Sequence, residues 1–290
     1  MIFSDPLLLS LVQGVNEFTL FTAFCWGAIW GSFLNVVVYR LPLMRSVVFP
    51  PSACGSCSEP LPWYENIPIF ACLLLGAQCR RCGAVFSWRY MLVELWMAVW
   101  AAYLLYHDGG VSWLWLYQGC LVFLATAVFL TDWDHWIIPD EVNLAGVVGG
   151  VVLSLFLAPR GDLEALGALL GVPLHSNLWS SLVGALFGWL FFWGVQVFGL
   201  LIARQEAMGG GDVKYAAALG AFLGWYAGLQ AFLLSFLLGA LTAVPLMIAA
   251  RGSGKEPIPF GTFMSVAAVI VCLWGGQLMA WLTEHFQFSI

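Results

Sequence analysis

One uncharged stretch of 36 residues, Tyr215–Ala250, constrains the fold of this chain more than any other feature. As a single helix it would be about 54 Å long, whereas the hydrocarbon core of a bilayer is about 30 Å thick. We therefore expect two membrane-spanning helices here, divided at Trp225–Gly228, where interfacial aromatic residues and glycine coincide. Across the whole chain 62% of residues are hydrophobic and only 9% are charged, which predicts a polytopic membrane protein.

Further apolar windows bring the expected count to about eight transmembrane helices in an all-α fold. These windows are Phe18–Val38, Met91–Tyr106, Trp113–Thr131, Val142–Ala158, Leu178–Ala203 and Phe260–Leu282. A cleavable signal peptide is not expected, because no charged region precedes the first window and the first basic residue is Arg40. The net charge of −6 and the lack of a long basic tract argue against a nucleic-acid partner.

The distribution of basic residues predicts the orientation of these helices. With eight spans, nine of the ten Lys and Arg residues fall on one side of the membrane, and only Arg160 falls on the other. Loops rich in Lys and Arg face the cytoplasm. We therefore expect both termini to lie outside and four segments to be cytoplasmic, namely 41–89, 132–141, 204–212 and 251–259.

Four of the eight cysteines have the spacing of a zinc site. The pairs Cys54-x-x-Cys57 and Cys79-x-x-Cys82 are separated by 21 residues, as expected for a tetrahedral site with four thiolate ligands. Disulfides are rare in the cytoplasm, and a loop of this size builds only a small core, so a structural metal is favoured. Two redox pairs or a chance arrangement are the alternatives. Four thiolates would leave no coordination position for a water.

Acidic residues occur at the cytoplasmic ends of two separate spans. Asp132 and Asp134 close the third helix and point about 200° apart, so only one of them can face the bundle interior. Asp212 follows the glycine run Gly209–Gly211 at the start of the sixth helix. If Asp132 and Asp212 converge, they would share a proton, one activating water and the other polarising a peptide carbonyl. The alternatives are helix capping, which we expect for Asp140, and ion transport.

Several motifs, in the order in which they occur, resemble those of the type 4 prepilin peptidase family. They are Gly31–Pro42, the two cysteine pairs, Pro62–Pro68, Arg89–Glu94, Thr131–Asp140, Met208–Lys214 and Pro257–Gly261. The family comprises membrane aspartic endopeptidases with a GxGD signature, and the resemblance implies that Asp132 and Asp212 are the catalytic pair. Gly209, Gly210 and Gly211 would then allow the substrate peptide to approach.

The resemblance also implies a substrate, a cofactor and a location. Family members remove the basic leader of type IV prepilins or type II secretion pseudopilins at the cytoplasmic face of the bacterial inner membrane. Many then methylate the new N-terminus with S-adenosylmethionine, and the cysteine-bearing loop is characteristic of those members. The implied domains are a first transmembrane helix (1–40), a zinc-binding loop domain (41–89) and a transmembrane peptidase bundle (90–290).

Several questions are left open by the sequence. It assigns no residues to S-adenosylmethionine, no role to Glu65 and Glu94, and no oligomeric state. Two other functions are compatible with the same residues. One is a divalent cation transporter that uses the carboxylates at the membrane edge as ligands, and the other is a catalytically silent assembly factor held together by its zinc loop.

Overall fold

The fold is helical in a computed structural model that describes residues 15–157, 177–204, 208–249 and 259–286. The helices are α1 (Glu17–Arg40), α2 (Phe70–Leu75), α3 (Arg89–His107), α4 (Trp113–His135), α5 (Asp140–Ser154), α6 (Asn177–Ala203), α7 (Gly210–Ala249) and α8 (Phe260–Phe286), with 3₁₀ turns at Leu41–Leu43 and Trp63–Asn66. Within these ranges the only β-pairing consists of two isolated bridges. The predicted all-α class is confirmed.

Five helical segments of the described chain are long and apolar enough to cross a membrane, and the predicted count of eight is not confirmed. The five segments are Glu17–Leu43, Trp113–His135, Asn177–Ile202, Gly210–Ala243 and Phe260–Trp281. Helix α5 has only 15 residues, which reach about 22 Å at 1.5 Å per residue. Helix α3 begins at Arg89 and carries Glu94 within its apolar run. Ala158 and parts of segments 204–212 and 251–259 lie outside the described residues.

The long uncharged run is interrupted at Gly224, one residue before the predicted break at Trp225–Gly228. Gly224 has φ 76° and ψ 178°, and two helices meet there within α7. Essentially only glycine adopts this conformation, because a Cβ atom would clash with the backbone. Backbone freedom at a glycine therefore fixes the position of the break more closely than the aromatic residues do.

The chain divides into two compact units, an N-terminal unit (Met1–Phe123) and a C-terminal unit (Leu124–Ile290). In the N-terminal unit α1 packs closely on α3 through small residues. A Cβ atom at Gly27 would lie 2.4 Å from the Met97 carbonyl oxygen, and one at Gly31 would lie 2.6 Å from the Glu94 Cα. These two glycines therefore allow the close contact between α1 and α3. The predicted division into 1–40, 41–89 and 90–290 stays a prediction.

In the C-terminal unit α7 is the central helix, and it contacts α5, α6 and α8. Gly184 of α6 and Gly220 of α7 bring the two backbones together, since a Cβ on either would lie within 2.2 Å of the other's carbonyl oxygen. Gly146 of α5 faces Ala218 of α7 in the same manner. This close packing fixes where α7 begins relative to the neighbouring helices, and the candidate site lies at that end.

Candidate active site and metal centre

Asp132 lies near the end of α4 and is 6% exposed. Its Oδ2 accepts a hydrogen bond from the backbone N–H of Thr262 at 3.2 Å, and the backbone N–H of Gly261 also donates to the carboxylate. Both donors belong to the first turn of α8, whose N–H groups have no partner within the helix. The Asp132 carboxylate therefore caps α8, where the positive end of the helix dipole favours negative charge.

Asp212 is the third residue of α7 and is half-buried. Its carboxylate accepts a hydrogen bond from the Gly209 backbone N–H, and its own N–H donates to the Gly209 carbonyl at 3.2 Å. The bond from Gly209 to the Asp212 carboxylate is half of a capping box, in which the side chain of the third helical residue reaches back to the backbone N–H before the helix. Asp212 thus stabilises the first turn of its own helix.

The structure brings the two predicted aspartates into one site. The carboxylates of Asp132 and Asp212 interact electrostatically with each other, whereas Asp134, two residues further along the chain, is exposed. Each carboxylate is held by backbone N–H groups at a helix start, and these donors offset part of the repulsion between two like charges. This arrangement can accommodate a shared proton. The catalytic role of the pair stays a prediction.

Ile138 and Gly261 enclose this site, and sequence reasoning gave neither of them a role. A Cβ atom at Gly261 would lie 2.9 Å from Asp132 Oδ2 and 2.8 Å from Ile138 Cδ1. Ile138 is 7% exposed and also lies against Gly211. A Cβ atom added at Gly211 would lie 3.3 Å from the Cβ atom of Ile138. The available signal was the position of the motif Pro257–Gly261 directly before an apolar helix, which marks it as a helix start.

The glycine run before Asp212 is open at its first two positions. Gly209 and Gly210 are exposed, and a Cβ atom at Gly210 would meet nothing within 4 Å. The far end of the run is held by Asn143, which is 3% exposed and donates from Nδ2 to the Gly211 carbonyl at 3.5 Å. An extended peptide could therefore reach Asp212 along the exposed backbone of Gly209 and Gly210. The role of the run in substrate approach stays a prediction.

Asp140 does not cap α5, contrary to the sequence-based expectation. The residue before α5 is Pro139, and the structure has no side-chain cap at this helix start. Both Asp140 carboxylate oxygens instead accept hydrogen bonds from Lys214 Nζ at 2.8 Å. The packing of α5 on α7 brings Lys214 within reach, and a charged partner is a stronger competitor for the carboxylate than backbone N–H groups.

The four patterned cysteines converge in the N-terminal unit. Their Sγ atoms all lie within 4.8 Å of one another, and the Sγ atoms of Cys54 and Cys82 are 3.7 Å apart. The contact between members of different pairs supports one four-ligand cluster over two separate redox pairs. Cys57 and Cys79 complete the set, which could hold a metal ion.

Each cysteine pair lies in a tight turn closed by an isolated antiparallel bridge. The bridges are Ala53 with Pro60 and Gln78 with Val85. Backbone N–H groups in the first turn also point at sulfur, and hydrogen bonds from Cys57 and Ser56 lower the pKa of the Cys54 thiol to about 6. Metal ligation requires the deprotonated thiolate, so these bonds prepare the turn for a cation.

Glu65 and Glu94, which had no assigned role, both make structural contacts within the N-terminal unit. Glu65 forms an ion pair with Arg80 at 3.6 Å, and Arg80 lies over the ring of Tyr64. Glu94 is 9% exposed and accepts a hydrogen bond from the Ile69 backbone N–H at 2.7 Å. The Glu65 contact lies within the cysteine-bearing segment, and the Glu94 contact joins that segment to α3.

The fold and the site together define a helical membrane protein that has a separate four-cysteine centre and two interacting aspartates, each held by backbone N–H groups at a helix start. Models of two families match the chain, the bacterial peptidase A24 N-terminal domain over residues 25–107 and the type IV leader peptidase family over residues 119–244. The chain belongs to the type IV leader peptidase family, as its motifs predicted. Together with its apolar helices, this membership indicates a protein of the inner membrane.

Named relatives cover nearly the whole chain. It is 31% identical over 304 residues to the prepilin leader peptidase/N-methyltransferase of Aeromonas hydrophila, covering 97% of this chain and 99% of the relative. The protein of the same name from Pseudomonas aeruginosa is 33% identical over 310 residues, covering 98% and 99%. The one from Myxococcus xanthus is 36% identical over 237 residues, covering 80% and 64%. No solved structure matches significantly. Nothing in these relatives supports a transporter.

Proposed function

We propose that this chain is a membrane aspartic endopeptidase that removes the leader of type IV prepilins or type II secretion pseudopilins and then N-methylates the new terminus. The family and the names of its relatives support both activities. The single observation that carries the peptidase half is the electrostatic interaction between the Asp132 and Asp212 carboxylates. Cleavage would occur at the cytoplasmic face, with both termini outside, in line with the distribution of basic residues.

The paired carboxylates can hydrolyse a peptide bond by acid–base catalysis. One carboxylate takes a proton from water as the oxygen attacks the scissile carbonyl, and the other, protonated, donates to the carbonyl oxygen. Collapse of the tetrahedral intermediate breaks the C–N bond, and a carboxyl proton passes to the leaving amine. Fixed backbone donors from Gly261 and Thr262 hold the Asp132 carboxylate in place through this cycle.

The charge around the site suits a basic leader. Asp134 and Glu141 are exposed close in sequence to Asp132, and Asp140 is partly neutralised by Lys214. Acidic groups at a rim attract a basic segment over roughly the Debye length of about 8 Å at physiological salt. The exposed backbone at Gly209 and Gly210 would admit an extended segment next to Asp212.

The four-cysteine cluster would hold a structural zinc ion on the cytoplasmic side. Four thiolates match the donor set that zinc prefers, and they would leave no open coordination position for catalysis. The ion would therefore stabilise the segment 41–89 and take no part in hydrolysis. S-adenosylmethionine would supply the methyl group for the second activity.

The test of the peptidase half is leader removal by the purified chain in membranes of defined lipid. A prepilin with its basic leader is the substrate, and mass spectrometry follows both products. We expect Asp132→Asn and Asp212→Asn each to lower the cleavage rate by about 10²–10⁴-fold, because each removes one of the two proton-transferring groups. Asp134→Asn is the matched control and should keep the wild-type kcat, because it removes one charge that attracts the leader but no proton-transferring group. Cleavage retained in either active-site variant would reject the paired-aspartate mechanism.

A further inference from the structure

The N-terminal unit contains a cavity of about 350 Å³ between the last turns of α1 and the segment that follows it. Its lining includes Ser32, Phe33 and Arg40 from α1, together with Val48, Ser52 and Pro68 from the segment. We propose that this cavity binds S-adenosylmethionine, the methyl donor. The inference rests on the methylation half of the proposed function and assigns that half to residues of this chain.

The size and character of the cavity suit a nucleoside carrying an amino-acid chain. Small-molecule sites in proteins have volumes of about 300–1,000 Å³ and combine apolar walls with a few polar groups. Here valine, proline and phenylalanine side chains form most of the wall, which suits an adenine ring. Ser32, Ser52 and Asn66 add hydrogen-bonding groups that can pair with ribose hydroxyls or ring nitrogens.

Arg40 provides a preorganised positive group for the carboxylate of the methyl donor. Its guanidinium donates to the backbone carbonyls of Ser46 at 3.1 Å and Pro51 at 3.4 Å, so its position is fixed by the segment. None of the ion pairs in the described residues involves Arg40. A guanidinium has five N–H donors in a fork that matches a carboxylate, so donors remain for a ligand.

The opposite wall is held in a strained conformation by a buried carboxylate. Ile69 has φ 64° and ψ −54°, and the Phe70 N–H donates to the Pro68 carbonyl at 2.7 Å, which makes a γ-turn of the rare strained class. Glu94 accepts the Ile69 N–H at 2.7 Å and also hydrogen-bonds with Ser32. Such strain persists only where surrounding contacts impose it, and it clusters at ligand sites.

The charge of Arg40 complements one of the charges of the ligand. S-adenosylmethionine carries a carboxylate, an α-ammonium and a cationic sulfonium, and Arg40 in the cavity lining can pair with the carboxylate, while the Glu94 carboxyl group lies directly behind the lining residue Ser32. Glu94 hydrogen-bonds with the lining residue Ser32 and accepts the N–H of Ile69, which follows the lining residue Pro68, so this acid positions the wall. The geometry assigns Arg40 a binding role and Glu94 a positioning role.

The test is binding of radiolabelled S-adenosylmethionine to the full-length protein in nanodiscs, measured by equilibrium dialysis. We expect Arg40→Gln to raise Kd by about tenfold or more, because a charge-assisted hydrogen bond is lost. Ser52→Trp should have at least the same effect, since its side chain would occupy the cavity while the backbone contact of residue 52 with Leu61 is kept. Arg45→Gln, on an exposed neighbouring arginine, is the matched control and should bind like the wild type.

The possible failures are distinguishable. Metal content and thermal unfolding show whether each variant is folded. If the wild type binds the donor and both cavity variants bind it equally well, the cavity assignment is wrong while methylation stands. If the wild type does not bind and mature pilin carries no added methyl group, methylation fails together with the cavity, and leader removal is untouched. If Arg40→Gln releases a co-purified anionic lipid and leaves donor binding unchanged, the cavity is a lipid site and the proposal is overturned.

Discussion

The two units of this protein hold their sites by different physical means. The aspartate site of the C-terminal unit is formed by helix starts that tight packing of α7 on its neighbours brings together. The segment 41–89 of the N-terminal unit has only Cys72, Ala77 and Cys79 buried, so it has almost no core of its own. Small units with little buried apolar surface need a metal or another cross-link. Perturbations of the two sites should therefore be separable.

Removing the metal should have the largest effect and should be confined to the N-terminal unit. We expect Cys57→Ser, or treatment with a strong chelator, to abolish metal binding and to unfold segment 41–89, because structural zinc contributes about 10–16 kcal/mol to folding of small domains. Metal analysis and hydrogen exchange of this segment measure the change. Donor binding should fall with it, since Ser52 and Pro51 precede Cys54 closely.

Leader removal is the measurement that tests whether the aspartate site is independent of the four-cysteine site. It should persist after metal removal, because the backbone donors that hold Asp132 and Asp212, those of Gly261, Thr262 and Gly209, all lie outside segment 41–89. Cys25→Ser, a change outside the cluster, serves as the control and should keep its metal. Unchanged metal content in Cys57→Ser would disprove the four-ligand site, and loss of cleavage along with the metal would show that the two sites are coupled.

Gly261→Ala is the corresponding change in the C-terminal unit. Its Cβ would lie 2.9 Å from Asp132 Oδ2, so the carboxylate must shift away from its backbone donors. Displacement of a catalytic group by about 1 Å costs about 10²-fold in rate, and we expect a loss of that order in cleavage with donor binding unchanged. Gly276→Ala in the same helix meets nothing within 4 Å and is the control. Wild-type cleavage by Gly261→Ala would argue against Asp132 as a reacting group.

The sequence could predict those parts of the two sites that depend on local motifs. The spacing of Cys54, Cys57, Cys79 and Cys82 predicted their grouping, because two short turns suffice to bring the thiols together. The glycine run that precedes Asp212 likewise predicted the start of a helix, and α7 begins within it, at Gly210. Both depend on residues close together in the chain.

The contacts that sequence could not predict join distant residues. Thr262 donates a hydrogen bond to Asp132, which is 130 positions away in the sequence. Lys214 donates to Asp140, which is 74 positions away, in place of the helix cap that we expected from Asp140. Which helix start meets which carboxylate depends on the packing of the helices, and apolar windows do not specify it. The strained turn at Ile69 was missed for the same reason, since Glu94 stabilises it from another helix.

A stability test addresses the helix packing that supports the aspartate site. We expect Gly184→Ala to lower the free energy of unfolding by about 1–3 kcal/mol, because its Cβ would lie 2.2 Å from the Gly220 carbonyl oxygen and α6 must move from α7. Gly194→Ala lies in the same helix with nothing within 4 Å and should be neutral or slightly stabilising. Thermal unfolding in detergent measures both. Equal melting temperatures would show that this contact does not determine the packing.

The smallest expected effect concerns the ion pair between Lys214 and Asp140. Its side chains are 52% and 69% exposed, and exposed pairs contribute about 0–1 kcal/mol, so Lys214→Gln should barely change the melting temperature. The same change removes a positive charge two residues from Asp212 and releases the full charge of Asp140. A basic leader should then bind more tightly, lowering KM severalfold at low ionic strength.

Ionic strength separates this effect from any change in the geometry of the site. An attraction between exposed charges fades as the Debye length shortens from about 30 Å at 0.01 M salt to about 3 Å at 1 M, so KM of Lys214→Gln should converge on the wild-type value at high salt while kcat stays the same throughout. Asp140→Asn should shift KM in the opposite direction, because it leaves Lys214 uncompensated. A lowered kcat in either variant, independent of salt, would mean instead that the pair positions the start of α7 and with it Asp212.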